Sequence, residues 1–322
     1  MNLMNSFFFR CIALMVITGC FSFFQSNAQT PTDAIMMKPG AICLDANYEY
    51  SQWHEYWEGT LKRDNGNVGT LRRHSVTPMF NLGVLKWLNI MSSVHYKVTD
   101  PTAGQLEGAK GFSDFNIWAK AEVMRKQIGA GGTLTAFFTA GYMVPVSKYV
   151  ADYPYSIGMG CTEGSLKGIM QYRHQKGFYV RIHAGYNLRG NANLQRSYYY
   201  TTQGYYGSGV DVPNAMDYSA TAGYYTPNKQ YKAELIFDGL YSFGGFDIRR
   251  QDMMFPSNKV EFMRLGARFD YYPSFAMGLN IHATGGYVLT GRNVGQSTLV
   301  GIGIGYVFKM WNTENKKESQ LN

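Results

Sequence analysis

Apolar and polar residues alternate with a period of two along most of this chain. The stretch FYVRIHAGYNLR, residues 178–189, is representative. Every second position carries an apolar side chain, and most of the intervening positions carry a cationic or polar one. A period of two places the two sets on opposite faces of an extended strand, whereas a helix would mix them. The stretch therefore predicts a strand with one apolar face and one polar face.

The same alternation recurs in about twelve segments, which we interpret as strands. The connections between them mostly alternate between tight turns and long loops, of which 191–215 is the longest. Short turns at one end, long loops at the other and an even strand number are typical of outer-membrane barrels. We therefore predict an all-β fold, a transmembrane antiparallel up-and-down β-barrel of about 12 strands. The predicted strands are 41–57, 70–84, 88–99, 112–126, 133–146, 160–174, 178–190, 216–226, 230–244, 259–272, 277–290 and 296–308.

Two soluble folds also contain strands with one apolar face. One is a sandwich with water on its polar face, and the other is a lipocalin-like barrel with its apolar face inside. The alternating loop lengths favour the membrane barrel. The segment TLVGIGIGYVF, residues 298–308, has a glycine face and an apolar face, and it resembles the terminal strand that the outer-membrane assembly machinery reads. That machinery is therefore an expected partner, although a polar tail from Asn312 to Asn322 follows the strand here.

Composition and the N-terminus extend this interpretation to the cell envelope. The 322 residues include 25 Tyr, 20 Phe and 36 Gly with only 16% charged residues, which is typical of strands and turns. Residues 1–28 contain one basic residue, a long apolar run and a small-x-small ending, as in a secretory signal peptide. An alternative lipoprotein box ends at Cys20. We expect a signal peptide at 1–28, a periplasmic segment at 29–40, the outer-membrane barrel at 41–308 and a polar tail at 309–322.

The polar faces of the strands are the candidate lining of a lumen. They carry both signs of charge, and a barrel of this size lies between the filled eight-stranded kind and the open 16-stranded kind. Two interpretations follow: a polar permeation path, or a network of salt bridges that fills the lumen for structural reasons. The candidate lumen-lining residues are Lys120, Glu122, Arg173, Arg181, His183, Arg189, Arg264, Arg268 and Asp270.

The predicted loops add two candidate surfaces. Tyrosines in the longest loop could capture an apolar ligand, or could pack on one another. Basic residues near the loop rim could bind the phosphates of lipopolysaccharide, or could lie on solvated turns. The net charge of +8 does not imply nucleic acid in an exported protein. The tyrosines are Tyr198, Tyr199, Tyr200, Tyr205 and Tyr206, and the basic residues are Lys62, Arg63, Arg72, Arg73, Arg249 and Arg250.

The sequence gives little support to catalysis. No nucleophile elbow, HExxH or CxxC motif is present, and the six histidines have no metal-ligand spacing. We therefore expect neither an enzyme nor a cofactor, with an outer-membrane hydrolase as the less favoured alternative and a partner-anchoring barrel as another. Cys43 and Cys161 enter their strands at opposite ends of the predicted barrel, so we expect two free thiols.

Three short stretches carry a family resemblance. Residues 111–114 read GFSD at a strand start, residues 143–149 read MVPVSKY at a strand end, and residues 156–160 read SIGMG at the start of the following strand; Gly185-Tyr186 closes the strand after that. Together they resemble the outer-membrane protein family of the meta-pathway of phenol degradation, which is distantly similar to fatty-acid channels. This chain has Val-Ser where that family usually has Thr-Gly. The resemblance implies a channel-like barrel for small, often hydrophobic molecules, and it carries over only the position of Asp114.

Overall fold

The computed structural model of the protein describes residues 29–194, 208–248 and 254–310. Its regular structure consists of long barrel strands and short loop strands. Among the described residues, no helix is long and apolar enough to cross a membrane. The long strands are β1 Ala41–Trp53, β4 Leu71–Leu85, β5 Leu88–Pro101, β6 Lys110–Ile128, β7 Gly132–Pro145, β8 Glu163–His174, β9 Phe178–Arg189, β12 Asn214–Tyr225, β13 Tyr231–Phe243, β14 Glu261–Tyr271, β15 Leu279–Arg292 and β16 Thr298–Lys309. The short strands are β2 Glu55–Glu58, β3 Leu61–Asp64, β10 Asn191–Asn193 and β11 Gly209–Asp211.

The long strands form one closed antiparallel barrel. Each pairs with its sequence neighbours among the long strands, and β1 pairs with β16 to close the ring. In that closing pair, Ala41 lies opposite Lys309 and Gln52 lies opposite Thr298. A closed ring satisfies the backbone donors and acceptors of every strand, so no sheet edge is left unpaired. The predicted fold class, an up-and-down barrel of about 12 strands, is confirmed.

The two ends of the barrel differ in the length of their connections. We call the end with the short connections the turn end; its turns are 86–87, 129–131, 175–177, 226–230 and 272–278. We call the other end the loop end; its connections are 54–70, 102–109, 146–162, 190–213, 244–260 and 293–297. The predicted C-terminal boundary of the first strand, 41–57, was wrong. The strand ends at Trp53, and the chain continues into the separate hairpin β2–β3 at the loop end.

The apolar face of each strand points outward. Along β9, Phe178, Val180, Ile182, Tyr186 and Leu188 are 45–62% exposed, and β16 presents Ile302, Ile304 and Tyr306 in the same way. Apolar surface of this extent is unusual on a protein that faces only water. It forms the band that a lipid bilayer would cover. The outward orientation excludes the lipocalin-like alternative, in which the apolar set would lie inside.

One tight turn shows how the sequence fixes the turn end. Gly177 closes the β8–β9 hairpin with a φ of +97°, a region that disfavours a side chain. A Cβ atom at this position would lie 2.2 Å from the carbonyl oxygen of Tyr225, where β12 ends and the neighbouring turn begins. The Gly177 oxygen also accepts a hydrogen bond from the Tyr225 amide at 3.0 Å. Only glycine therefore lets two adjacent turns pack this closely.

Candidate functional site: the barrel lumen

The lumen contains two cavities that share part of their walls. The central cavity has a volume of about 650 Å³. A second cavity of about 450 Å³ lies toward the loop end. Arg73, His95 and Lys97 line both of them. The barrel therefore encloses space as well as side chains.

A dense ion-pair network fills the wall near the turn end. Asp270 is fully buried; its carboxylate accepts from Lys232 Nζ at 2.9 Å and from both Nε and Nη2 of Arg268 at 3.0 and 2.8 Å. On the adjoining wall, Arg181 Nη1 donates to Glu234 Oε1 at 3.0 Å. Buried charges need such partners, because an isolated charge removed from water is strongly disfavoured. This half of the lumen fits the structural interpretation of the charges.

Asp217 forms a smaller cluster at mid-height. Its carboxylate accepts from Lys167 Nζ at 2.7 Å and from Asn187 Nδ2 at 2.8 Å, and it lies 2.9 Å from Nε2 of His183. These groups come from β8, β9 and β12, which are adjacent in the barrel. Asp217 and His183 face the central cavity, and so does Ser219 on the other side of the histidine ring. The cluster makes this part of the wall hydrophilic.

The segment that precedes β1 lies inside the barrel at the turn end. We call residues 29–37 the plug. Lys120 Nζ, which is fully buried, donates to Asp33 Oδ1 at 2.6 Å, to Thr30 O at 2.9 Å and to Asp33 O at 3.1 Å. Thr139 Oγ1 donates to Pro31 O at 3.0 Å from the next strand. The plug therefore uses its backbone carbonyls to satisfy polar groups of the barrel wall.

Two further contacts fix the ends of the plug. Gln29 is buried and contacts the side-chain amides of Asn81 on β4 and Asn89 on β5. A Cβ atom on Gly83 would lie 2.2 Å from the carbonyl oxygen of Lys38, so a glycine is needed where the chain enters the barrel. The expectation for 29–40 placed this segment in the periplasm. In the structure the plug lies against the lumen wall of the turn end, and Gln29, Thr30, Thr32 and Asp33 line the central cavity.

The loop between β7 and β8 folds inward at the opposite end. Lys97 Nζ donates to Ile157 O at 2.9 Å, and Thr99 Oγ1 donates to Tyr155 O at 2.8 Å. The hydroxyl of Tyr149 donates to Asp114 Oδ1 at 3.0 Å and accepts from the Gly160 amide at 3.0 Å. Burial raises the pKa of Tyr149 well above its usual value, and the charge of Asp114 adds to that shift. Tyr149 therefore stays a hydrogen-bond donor at any physiological pH.

The stretches that carried the family resemblance meet at this loop. Asp114 comes from GFSD, Tyr149 ends MVPVSKY, and Gly158 belongs to SIGMG. A Cβ atom on Gly158 would lie 2.2 Å from the Tyr149 hydroxyl and 3.2 Å from Asp114 Oδ2. The shared residues thus form a local anchor for an inward-folded loop. This gives the position of Asp114 a structural role in holding the loop.

The candidate lumen residues lie at several depths. Arg181, His183, Arg264 and Arg268 line the central cavity, and Arg189 lines the cavity at the loop end. Lys120 and Asp270 are buried behind these surfaces by the plug and the ion-pair network. Two residues lie near the turn end and line neither cavity: Glu122, which pairs with Arg125, and Arg173, which lies 4.4 Å from the ring centroid of Tyr225.

The structure describes only some of the residues that were predicted to form the two loop surfaces. Tyr198, Tyr199, Tyr200, Tyr205 and Tyr206 lie outside the described residues, as do Arg249 and Arg250. Lys62 and Arg63 form ion pairs with Glu55 and Glu58 within the β2–β3 hairpin. Arg73 was interpreted as a rim residue, but it faces both cavities. The alternation along β4 could have predicted this, because Arg73 lies on the same face of the strand as the inward residues Ser75 and Thr77.

The two cysteines are free and buried. Cys43 lies near the start of β1, at the turn end of the barrel, and Cys161 lies in the loop that leads into β8. Burial is the main cause that raises the pKa of the Cys161 thiol to about 11. In the described ranges, no three His, Cys, Asp or Glu side chains are grouped so that they could hold a metal ion.

The geometry defines a class of protein: an outer-membrane-type barrel with a polar, cavity-containing lumen. No protein-family model matches the chain, and no curated protein matches its sequence. Among solved structures, the barrel is similar to an outer-membrane channel from Pseudomonas putida F1, with a TM-score of 0.66, 11% identity, and coverage of 87% of this chain and 100% of that one. The translocator domain of autotransporter NalP from Neisseria meningitidis gives a TM-score of 0.46 at 14% identity, covering 83% of this chain and 87% of that one. The outer-membrane barrel fold implied by the family resemblance is thus confirmed.

Proposed function

We propose that the protein is an outer-membrane channel or transporter that passes small, water-soluble molecules through its lumen. The observation that supports this proposal is the central cavity of about 650 Å³, which is lined by ionisable and hydroxyl side chains inside a closed barrel. Pockets for small molecules commonly enclose about 300–1,000 Å³. A barrel serving only as a structural element has no need of an internal space of this size.

The chemistry of the lining bears on the solute. The family resemblance implied small, often hydrophobic molecules. Yet few large apolar side chains line the central cavity, namely Met79, Ile236 and Leu299. The rest of the lining consists mainly of charged, hydroxyl and glycine residues. An apolar solute would leave these polar groups without water, so a polar solute is the better match.

The plug lies inside the turn end, where it is bound to Lys120, Thr139, Asn81 and Asn89. We propose that it restricts passage at that end, and that a solute crosses more easily when the plug shifts or leaves. The proposed location is the bacterial outer membrane after removal of residues 1–28, with the assembly machinery and lipopolysaccharide as predicted partners.

Planar-bilayer recordings test the proposal. We expect the purified wild-type barrel to give small or infrequent conductance steps, and a variant that lacks residues 30–36 to give larger and more frequent ones. Deletion of residues 312–322, which leaves the plug intact, is the matched control. The proposal fails if both barrels are folded, as shown by heat-modifiable electrophoresis, and neither conducts. Silence together with lipid hydrolysis would favour a hydrolase, and a stoichiometric co-purifying protein would favour a partner-anchoring role.

A further inference from the structure

Two charged side chains of the central cavity stand apart from the others. Glu49 and Arg73 both line it. Among the described residues, no side-chain hydrogen bond or ion pair involves either of them, and Nε of Arg73 is buried without a hydrogen-bond partner. By contrast, Arg264 is bound to both oxygens of Asp238 at 3.1 and 2.8 Å. Most of the charged side chains thus stabilise the wall through ion pairs, whereas Glu49 and Arg73 are available to bind a solute.

Strand register places these two charges close together. Glu49 lies opposite Ser75, and Arg73 lies opposite Ser51, so the two are diagonal neighbours on the inward face of β1 and β4. Diagonal neighbours in an antiparallel sheet are about 7–8 Å apart. The side chains are long enough to meet, yet they form no ion pair. Each therefore faces the cavity without a side-chain partner in the part of the chain that the structure describes.

The residues beside the two charges are small. On the other flank of Glu49, β16 supplies Gly301 opposite it, and the hydroxyl of Thr284 occupies the space over that glycine, 2.6 Å from where a Cβ atom would lie. Arg73 is flanked on its far side by Thr99 of β5. These neighbours are short, and both charged residues line the central cavity, so a solute in the cavity can reach them.

We propose that Glu49 and Arg73 bind the two charged groups of a small zwitterion such as an α-amino acid. The guanidinium of Arg73 would receive the carboxylate, a geometry that Arg accommodates with two parallel hydrogen bonds. The carboxylate of Glu49 would accept from the ammonium group. This inference rests on the proposed function and names the class of solute for that same lumen.

Charge complementarity explains why a zwitterion fits better than a simple ion. A lone anion would pair with Arg73 and be attracted by Lys97, but it would be repelled by Glu49 and would leave that carboxylate without a partner. A lone cation would pair with Glu49 but would be repelled by Arg73 and by the nearby Lys97, which lies opposite Ser75. A molecule with both charges satisfies both side chains and leaves the net charge of the lumen unchanged.

Three matched probes test this inference on the full-length wild-type protein in detergent. L-alanine carries both charges, propionate lacks the ammonium group, and ethylammonium lacks the carboxylate. Saturation-transfer NMR of each methyl group over a concentration series gives the affinities without any need for conduction. We expect alanine to bind at least about tenfold more tightly than either single-charge probe, because hydrogen bonds to charged groups are the stronger ones. Equal binding of alanine and propionate, or no binding of alanine, would overturn the inference.

Substitutions assign the site. Glu49→Gln should weaken alanine binding by about tenfold or more and leave propionate unchanged or tighter. Arg73→Gln should weaken alanine binding and leave ethylammonium unchanged or tighter. The exchanged variant Glu49→Arg with Arg73→Glu should recover part of the alanine affinity, because both charges are still present. Glu55→Gln on the β2–β3 hairpin is the control and should change nothing. If alanine binding survives both single substitutions, the inference is wrong.

The outcome is separable from that of the proposed function. Conductance in bilayers without alanine binding would contradict the inference alone. Alanine binding by a barrel that never conducts would contradict the channel and keep the site.

Discussion

Lys120 Nζ lies 2.6 Å from Oδ1 of Asp33, and both side chains are almost wholly buried between the barrel wall and the plug. Removing one partner of a buried pair leaves the other charge uncompensated, at a cost of about 3–5 kcal/mol. We therefore expect Lys120→Met to release the plug, and the double variant Lys120→Met with Asp33→Asn to be less damaging. Limited proteolysis of residues 29–40, read by mass spectrometry, measures release.

A second ion pair provides the control for this prediction. Lys62 Nζ also lies 2.6 Å from a carboxylate oxygen, that of Glu55, but both side chains are about 40% exposed. Exposed pairs contribute about 0–1 kcal/mol. Lys62→Met should therefore leave the plug and the thermal midpoint unchanged. Equal effects of Lys62→Met and Lys120→Met would show that burial of the plug contact does not matter.

Adjacent residues of β9 give a test of which face meets lipid. Ala184 points outward, and His183 points into the lumen beside Asp217. Ala184→Arg should impair assembly, because an arginine facing lipid at mid-membrane costs about 2–4 kcal/mol. His183→Arg should be tolerated, since Asp217 remains available as a partner. The yield of heat-modifiable folded protein compares the two, and equal tolerance would argue that neither face meets lipid.

The orientation of the barrel can be tested by labelling. We expect the loop end to face the outside of the cell. Gly66→Cys in the loop 54–70 and Ser274→Cys in the turn 272–278 are exposed positions at opposite ends. An impermeant maleimide added to intact cells should label G66C, and it should label S274C only after lysis. The reverse pattern would mean that the barrel is inverted.

The two native cysteines should be silent in that experiment. Cys161 is 1% exposed and its pKa is raised to about 11, so at pH 8 its thiolate fraction is on the order of 10⁻³. Cys43 is fully buried. We expect two free thiols that react with maleimide only after denaturation, counted by intact mass. A Cys43–Cys161 bridge found under non-reducing conditions would contradict the strand order.

The barrel could be predicted from the sequence because a period of two is a local property. Residues 178–189 show it without reference to any other segment, and the loop lengths then gave the class of barrel. The end of β1 was less predictable. The residues of the β2–β3 hairpin have strand-like composition as well, so the sequence does not show where the barrel wall stops and the loop begins.

The plug could not be predicted in the same way. Residues 29–37 have no periodicity, and their position depends on contacts with strands far away in sequence, above all with Lys120. Lys120 itself was recognised as an inward residue, but its partner Asp33 was not. The proximity of Glu49 and Arg73 was hard to predict for a different reason. Parity placed Glu49 inside, yet only the register between β1 and β4 shows that Arg73 lies next to it without contact.

The seam between β1 and β16 also bears on how the barrel is completed. Ala41 and Lys309 come from nearly opposite ends of the described chain, and their strands pair only when the ring closes. The strand that removes the last two open edges is thus synthesised after all the others. Until β16 arrives, β1 and β15 each present free backbone donors and acceptors, which find no water inside a membrane. The pairing of β1 with β16 is therefore the contact that makes the barrel wall compatible with the interior of a bilayer.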